Sequence, residues 1–482
     1  MRDNPNVSWH TETRDMPSKT ATRRQPRANH NRLQDSDRAV HDWYRFVLSF
    51  PPHLVREYLE RFGIGKGGCV LDPFCGTGTT LVECKKLGIA SVGIEANPMA
   101  HLASRVKLDW SPDAGELLSH AQCVADTVMA ELRAEGIDDD FFFSAPRERT
   151  VPLRSLPPEQ MGLLLRDSIS PLPLHKTLVL LEHLESHRDD RFHDHERLAL
   201  AKALVGDISN LHFGPEVGVG RAKPDAPVLS PWLDGLRAMA GDLRGLKATA
   251  RTPAAVHAAD AREVAAAVEP CSVDAVITSP PYPNEKDYTR TTRLESVLLG
   301  MIQSKAELRA LKQGLVRSNT RNVYVADDDD RWVADHPEVQ RIAEAIEARR
   351  IELGKTSGFE RMYHRAVRHY FGGMARHLAG LRTVLRPGAQ LAYVVGDQAS
   401  YLRVMIRTGR ILADIAQSLG YELVGIDLFR SRFATATRSE LREEVVVLRW
   451  PGKLLPGSHD RVEEKPAKYA AKKRVGKKRK QA

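Results

Sequence analysis

Between residues 69 and 95 the chain spells a strand, a glycine-rich turn, a helix and a second strand, and that order leaves few folds open. Cys69-Val70-Leu71 is a short apolar strand stopped by Asp72-Pro73, because proline offers no amide hydrogen to a ladder. Gly76-Thr77-Gly78-Thr79-Thr80 then turns the chain into a helix predicted over about 79–87, with Gly88 as its stop. Ser91-Val92-Gly93-Ile94-Glu95 is the next strand. This is the opening of a doubly wound α/β fold, whose ligands bind beyond the carboxyl ends of the strands. There is no Gly-Lys-Ser/Thr after the turn, and its spacing is not that of a dinucleotide fingerprint.

The α/β rhythm is interrupted twice. Residues 1–36 are polar and without periodicity, so they are predicted to be disordered. The first part of the core spans 37–100 and includes a helix whose apolar face is Leu54, Val55, Tyr58, Leu59 and Phe62. A mainly helical insertion follows at 101–253, with a helix near 193–206 and a loop at 210–227. The core resumes at 254–300 with predicted strands at 256–260 and 273–278. A second insertion covers 301–373, with a helix at 338–353. The end of the core, 374–457, holds predicted strands at 391–397, 421–428 and 444–450 and a helix near 410–419. A basic, disordered tail closes the chain at 458–482.

The net charge of +9 is unevenly spread. Residues 461–482 hold ten Lys and Arg against two Glu, so the rest is nearly neutral. Such a tail is either a solvated terminus or a source of salt-dependent affinity for a polyanion. No apolar run approaches the roughly 20 residues of a membrane span, and the N-terminus lacks an apolar signal core. Cys69, Cys75, Cys84, Cys123 and Cys271 show no Cys-x-x-Cys spacing and read as reduced thiols. A cytoplasmic protein is expected, with no membrane contact. His183, His187, His193 and His195 have no correctly spaced third ligand, so no metal is expected. The acidic run 327–330 lacks an alternating ligand pattern and is expected to be a solvated loop.

The second informative motif is Ser279-Pro280-Pro281-Tyr282, at the end of the apolar strand 273–278. The prolines cannot continue a ladder, and they leave the Pro280 carbonyl free. An exocyclic amine on a heterocycle is a poor nucleophile, because its lone pair is delocalised. The Ser279 hydroxyl and Pro280 carbonyl are two acceptors able to hold its hydrogens and favour a pyramidal nitrogen. Tyr282 is placed to stack on a planar ring.

These residues resemble the S-adenosylmethionine-dependent DNA amino-methyltransferases, which act on N4 of cytosine or N6 of adenine. Asp72 to Thr80, Glu95, Asp260 and Ser279 to Tyr282 are similar to its successive cofactor and catalytic motifs. The segments Trp43 to Phe62, Val394 to Asp397 and Glu443 to Trp450 are similar to its flanking motifs. The resemblance implies a Rossmann-like seven-stranded methyltransferase sheet, here with helical insertions, and a base flipped out of duplex DNA. It implies cofactor contacts from Asp72, Pro73, Phe74, Cys75, Gly76, Gly78, Thr79, Thr80, Glu95, Ala96, Asp260 and Ala261. The α-helix after the turn would face the cofactor's carboxylate, Glu95 the ribose hydroxyls and Asp260 the adenine amine. Catalysis would fall to Ser279, Pro280, Pro281 and Tyr282. Ser at the first position of the catalytic motif is similar to the N4-cytosine branch, whereas the adenine branch more often has Asp or Asn. Either insertion is a candidate for reading DNA. Asp287, Tyr288, Arg290, Arg317, Asn319 and Arg321 are candidate substrate contacts, since Arg and Asn read base edges well. A cognate restriction endonuclease or defence-system proteins are implied partners, and a nucleoid location follows from the substrate. RNA, a protein amide, or cofactor sensing without catalysis remain open alternatives.

Overall fold

The computed structural model describes residues 33–44, 50–139, 151–213, 216–284, 286–434 and 439–453. The disorder expected at 1–36 lies outside them except for 33–36, where Asp35–Asp37 begin a 3-10 turn. The basic tail at 458–482 lies wholly outside the described residues.

In chain order the main elements are α1 (Pro52–Arg61), β1 (Cys69–Asp72), α2 (Thr79–Lys86), β2 (Ala90–Ile94) and α3 (Pro98–Leu108). The first insertion contributes α4 (Ala114–Ala134), α5 (Pro171–Ser186), α6 (His193–Ala203), β3 (Leu211–Phe213), β4 (Val217–Val219) and α7 (Leu229–Gly245). Then come β5 (Ala254–His257), β6 (Val273–Thr278), α8 (Lys305–Gln313), α9 (Pro337–Glu352) and α10 (Tyr363–Leu381). The chain continues through β7 (Leu385–Gly396), α11 (Thr408–Ser418), β8 (Glu422–Ala434) and β9 (Ser439–Arg449).

Seven strands form one sheet in the order β5-β2-β1-β6-β7-β9-β8, parallel except for β9. The alternation of side chains along its strands supplies both buried faces. Ala275, Ile277, Ala392, Val394, Val445 and Val447 pack under α1. Val276, Leu391, Tyr393, Val395, Val446 and Leu448 pack against α10 and α11. This is the expected doubly wound α/β architecture. Strand order reverses at β1, where the chain first builds outward through β2 and β5 and then returns to lay β6 on the other side. A crevice opens beyond the carboxyl ends of strands at such a point.

α4 to α7 pack through Leu117, Val124, Val128, Leu180, Leu198, Trp232 and Leu236, and this apolar cluster runs on into Leu81, Val82 and Met99 of the α/β layers. The buried Trp232 indole donates to the Glu196 carbonyl at 3.0 Å. α3 packs on β5 and leads from β2 into the insertion.

Three local expectations are corrected. The loop at 210–227 contains the antiparallel hairpin β3–β4, whose strands are too short to show a pattern. The strand expected at 256–260 runs instead from Ala254 to His257, where pairing with β2 ends. The acidic run at 327–330 is not simply solvated: Asp329 is buried and Asp327 nearly so. Asp327 accepts from Arg317 at 2.8 and 2.9 Å. Asp329 accepts from Arg262 and Arg376, partners far away in sequence. The Asp329 backbone lies against Gly372 of α10, where a Cβ would stand 1.9 Å from the Asp329 carbonyl oxygen. Gly372→Ala must move backbone, so it is expected to destabilise the protein by about 1–3 kcal/mol or more. Urea unfolding checks this; an unchanged midpoint would contradict the contact.

Candidate active site

A cavity of about 760 Å3 sits at the carboxyl ends of β1, β2, β5, β6 and β7. Its size falls within the roughly 300–1,000 Å3 of small-molecule sites. Both sequence motifs open into it, although they lie some 200 residues apart.

The two turn glycines have different jobs. Gly76 has φ +53° and nothing within 4 Å of where a Cβ would stand, so it leaves the wall open. Gly78 has φ +86°, and its Cβ would meet the Ser104 Cβ at 3.1 Å, so it lets α2 start close to α3. No side chain caps the first turn of α2. Its amides and its dipole therefore stay available to an anionic ligand, and Thr79 reaches the wall.

Pro73, Phe74, Cys75, Gly76, Glu95, Ala96, Asp260 and Ala261 also line the cavity. Asp72, Gly78 and Thr80 do not, and they build the site from behind. Asp72 is fully buried and accepts from Thr278 Oγ1 at 2.6 Å, tying the end of β1 to the end of β6. Burial pushes its carboxyl up to about 6. Thr80 donates to the Ile277 carbonyl at 3.1 Å and makes the same link one layer down.

Glu95 is half-buried and holds both sides of its strand end. Oε2 accepts from the Gly76 amide at 2.8 Å and Oε1 from the Asn97 amide at 2.7 Å. Burial pushes its carboxyl up to about 7. Asp260 lies past the strand end rather than in it. It starts a tight turn, accepting from the Arg262 amide at 2.9 Å, and the Arg262 guanidinium grips both its oxygens.

Ser279, Pro280, Pro281 and Tyr282 stand on the same wall. Ser279 Oγ donates to the Val394 carbonyl on β7 at 3.2 Å, which leaves its lone pairs to accept. The Tyr282 hydroxyl donates to Glu443 on β9 at 2.8 Å, and Arg430 of β8 holds the other Glu443 oxygen. Burial and the Glu443 charge raise the Tyr282 pKa, so the phenol stays protonated. Its ring lies on Gly396, where a Cβ would come within 2.8 Å of Tyr282 Cε2. Gly396→Ala is expected to tilt the ring and reduce turnover about tenfold or more with little effect on cofactor affinity, since small misplacements are costly in an aligned site. Steady-state kinetics beside cofactor titration tests this; normal turnover would remove the ring from catalysis.

The candidate substrate contacts separate. Tyr288 lines the cavity, and burial pushes its phenol up to about 12. Arg290 is set off the wall. Asp287 is buried and committed to Thr289 and, at 2.7 Å, to Lys312. Arg317 is buried on Asp327 and the carbonyls of Lys312 and Gln313. Asn319 is buried, donating to the Lys286 carbonyl at 2.9 Å and capping the turn at Arg321. These three support the wall instead of meeting a substrate, because each found a partner within its own segment or a neighbouring one. Arg321 is exposed, with its guanidinium 5.7 Å from the centre of the Phe359 ring.

The cavity also takes residues that the sequence did not single out. Asn97 caps α3 through the Met99 and Ala100 amides and donates to Thr292; the Asn-Pro pair at 97–98 was its one local signal. Glu216 arrives from the β3–β4 hairpin, and Gln398 and Arg442 come from beyond β7 and from β9. Nothing local marks them.

A family model described as DNA methylase matches residues 3–104, which include the glycine-rich turn and Glu95. The chain is 25% identical over 445 residues to the type II methyltransferase M.BsoBI of Geobacillus stearothermophilus, covering 86% of this chain and 85% of that protein. It is 23% identical over 449 residues to the type II methyltransferase M.AvaI of Nostoc sp., covering 85% and 86%. A segment of 69 residues is 42% identical to the type II methyltransferase M.MjaII of Methanocaldococcus jannaschii, 14% of this chain and 13% of that one.

Proposed function

Because this chain belongs to the amino-methyltransferase family, its methyl donor is S-adenosylmethionine, and we propose that it methylates an exocyclic amine in DNA, N4 of a flipped-out cytosine. The observation that carries the reading is that Gly76, Glu95 and Asp260 share one cavity with Ser279 to Tyr282. The donor set fits the cofactor. The open wall at Gly76 admits its backbone-sized parts, and the uncapped amides of α2 suit its carboxylate. Glu95 keeps lone pairs beyond those used by Gly76 and Asn97, so it can accept from two ribose hydroxyls. Asp260 can accept from the adenine amine. When bound, the cofactor supplies an electrophilic methyl group on a positively charged sulfur.

The protein's task is to hold the acceptor amine. Ser279 Oγ, already donating to Val394, accepts one amine hydrogen, and the Pro280 carbonyl accepts the other. Both acceptors favour the nitrogen that develops positive charge, and they are preorganised before substrate arrives. Tyr282, clamped by Glu443 and Gly396, stacks on the base. The surplus proton leaves to solvent, since a methylated amine bearing positive charge is a strong acid. The choice of cytosine rests on Ser279 at the head of the motif.

The names of M.BsoBI and M.AvaI support a DNA substrate and a restriction–modification setting, in which a cognate endonuclease is the proposed partner. Both insertions are proposed to read the DNA, with exposed Arg309 and Arg321 on the second. The experiment supplies labelled S-adenosylmethionine and mixed-sequence duplex DNA, digests the DNA and identifies the methylated nucleoside by mass spectrometry. N4-methylcytosine is expected. N6-methyladenine would keep the reaction and overturn the base, and label found only in RNA or protein would overturn the substrate.

A further inference from the structure

We propose that Arg262 is a positioning residue for the cofactor: it holds the Asp260 carboxylate in the orientation that accepts from the adenine amine and fastens that wall to the second insertion. The proposal rests on reading the cavity as an S-adenosylmethionine site.

Arg262 is almost wholly buried, and each nitrogen of its guanidinium has a partner. Nε lies 3.0 Å from both Asp260 oxygens, and one terminal nitrogen is 2.5 Å from Asp260 Oδ2. The same nitrogen donates to the Gln313 carbonyl at 3.1 Å. The other reaches Asp329 Oδ2 at 2.5 Å. Asp329 is itself fixed, by Arg376 at 3.3 Å and by its backbone lying against Gly372. Gln313 directly precedes Gly314, Leu315 and Val316, which line the cavity. One side chain thus sets a wall carboxylate and a wall segment that arrive from parts of the chain about 50 residues apart.

The planar fork explains why arginine stands here. It can grip both oxygens of one carboxylate and still reach a second, whereas a lysine ammonium is a single point of attachment. A carboxylate has about four lone-pair sites. Arg262 and its amide occupy some of them from behind, which leaves the remainder facing the cavity in one fixed direction. The direction of an acceptor matters only to a ligand that presents a donor to it, so the effect of Arg262 should depend on the ligand's amine.

The test measures calorimetric binding of two ligands to the full chain. S-adenosylhomocysteine carries the 6-amino group; S-inosylhomocysteine replaces it with a carbonyl. The wild type is expected to prefer the adenine ligand, and Arg262→Lys to lose at least tenfold of that preference. Asp329→Asn keeps the shape of its side chain and removes its charge, and it is expected to lose a smaller part of the same ratio. If Arg262→Lys does not fold, as read by thermal melting, the Asp329→Asn ratio decides. Equal weakening of both ligands would mean that Arg262 only braces the wall, and this would overturn the proposal. A wild type that binds both ligands equally would overturn it too, while leaving the cofactor reading intact. A wild type that binds neither would instead overturn the cofactor reading.

Discussion

Tyr282→Ala is expected to lower turnover on DNA by about 5- to 150-fold, the range set by the roughly 1–3 kcal/mol that stacking one base on an aromatic ring contributes. Affinity for S-adenosylhomocysteine should stay within about twofold, because Gly76, Glu95 and Asp260, the residues proposed to hold the cofactor, come from other strand ends. The ring is held on two sides. Its hydroxyl donates to Glu443 at 2.8 Å, and its edge rests on Gly396. Tyr282→Phe keeps the face and loses only the hydroxyl bond, so it should retain most of the activity. Single-turnover kinetics with saturating cofactor separates the two variants. If alanine and phenylalanine are equally damaging, the Glu443 bond matters and stacking does not. If neither changes the rate, Tyr282 has no part in holding the base.

Glu95→Ala is expected to weaken cofactor binding by at least about 100-fold, since hydrogen bonds to a charged group contribute about 1.5–3 kcal/mol each and two to the ribose would be lost. The variant also strips the Gly76 and Asn97 amides of their acceptor, so the turn itself should loosen. A pH dependence accompanies this. Burial lifts the Glu95 carboxyl up to about 7, above its ordinary value. Above pH 7 both oxygens accept; below it one carries a proton and an acceptor is lost. Cofactor affinity should therefore fall as pH drops through 7, by no more than about tenfold per pH unit for a single group. The same shift acts oppositely on the ligand-free fold. A carboxyl whose folded pKa is raised favours folding at acid pH, and that contribution fades as pH rises through 7. Glu95→Gln should flatten the binding profile between pH 6 and 8. A wild-type profile that is already flat would assign the ribose to another residue.

Much of the fold was readable along the chain because its signals are local. A proline after an apolar run ends a strand, a glycine at positive φ makes the turn, and the near-continuous apolar run Val273–Thr278 gives a strand buried on both faces. The helices expected at 338–353 and 410–419 agree with α9 and α11 to within two residues. Short elements escaped for the same reason. The three-residue strands β3 and β4 hold too few side chains for a period to show, and β5 loses its ladder at His257 although the sequence stays apolar to Ala259.

The sequence by itself determined the chemistry on offer: a glycine-rich turn with Glu95 after it, and Ser279 to Tyr282 at the end of a strand. Each lies within a few residues of the backbone feature that shapes it, and neighbours in sequence must be neighbours in space. Only the tertiary structure decided which polar residues face the cavity and which support it. Asp72, Asp287, Arg317 and Asn319 looked as reactive as Glu95, yet each is buried on a partner. Asp329 looked like a solvated acid and proved to be the far anchor of Arg262. A carboxylate or guanidinium in a folded protein is directed by its counter-charge, because leaving it buried and unpaired costs several kcal/mol. The partners, charged for Asp287, Arg317 and Arg262 and a neutral hydroxyl for Asp72, lie 10 to 206 residues away, and chain order alone does not bring them together.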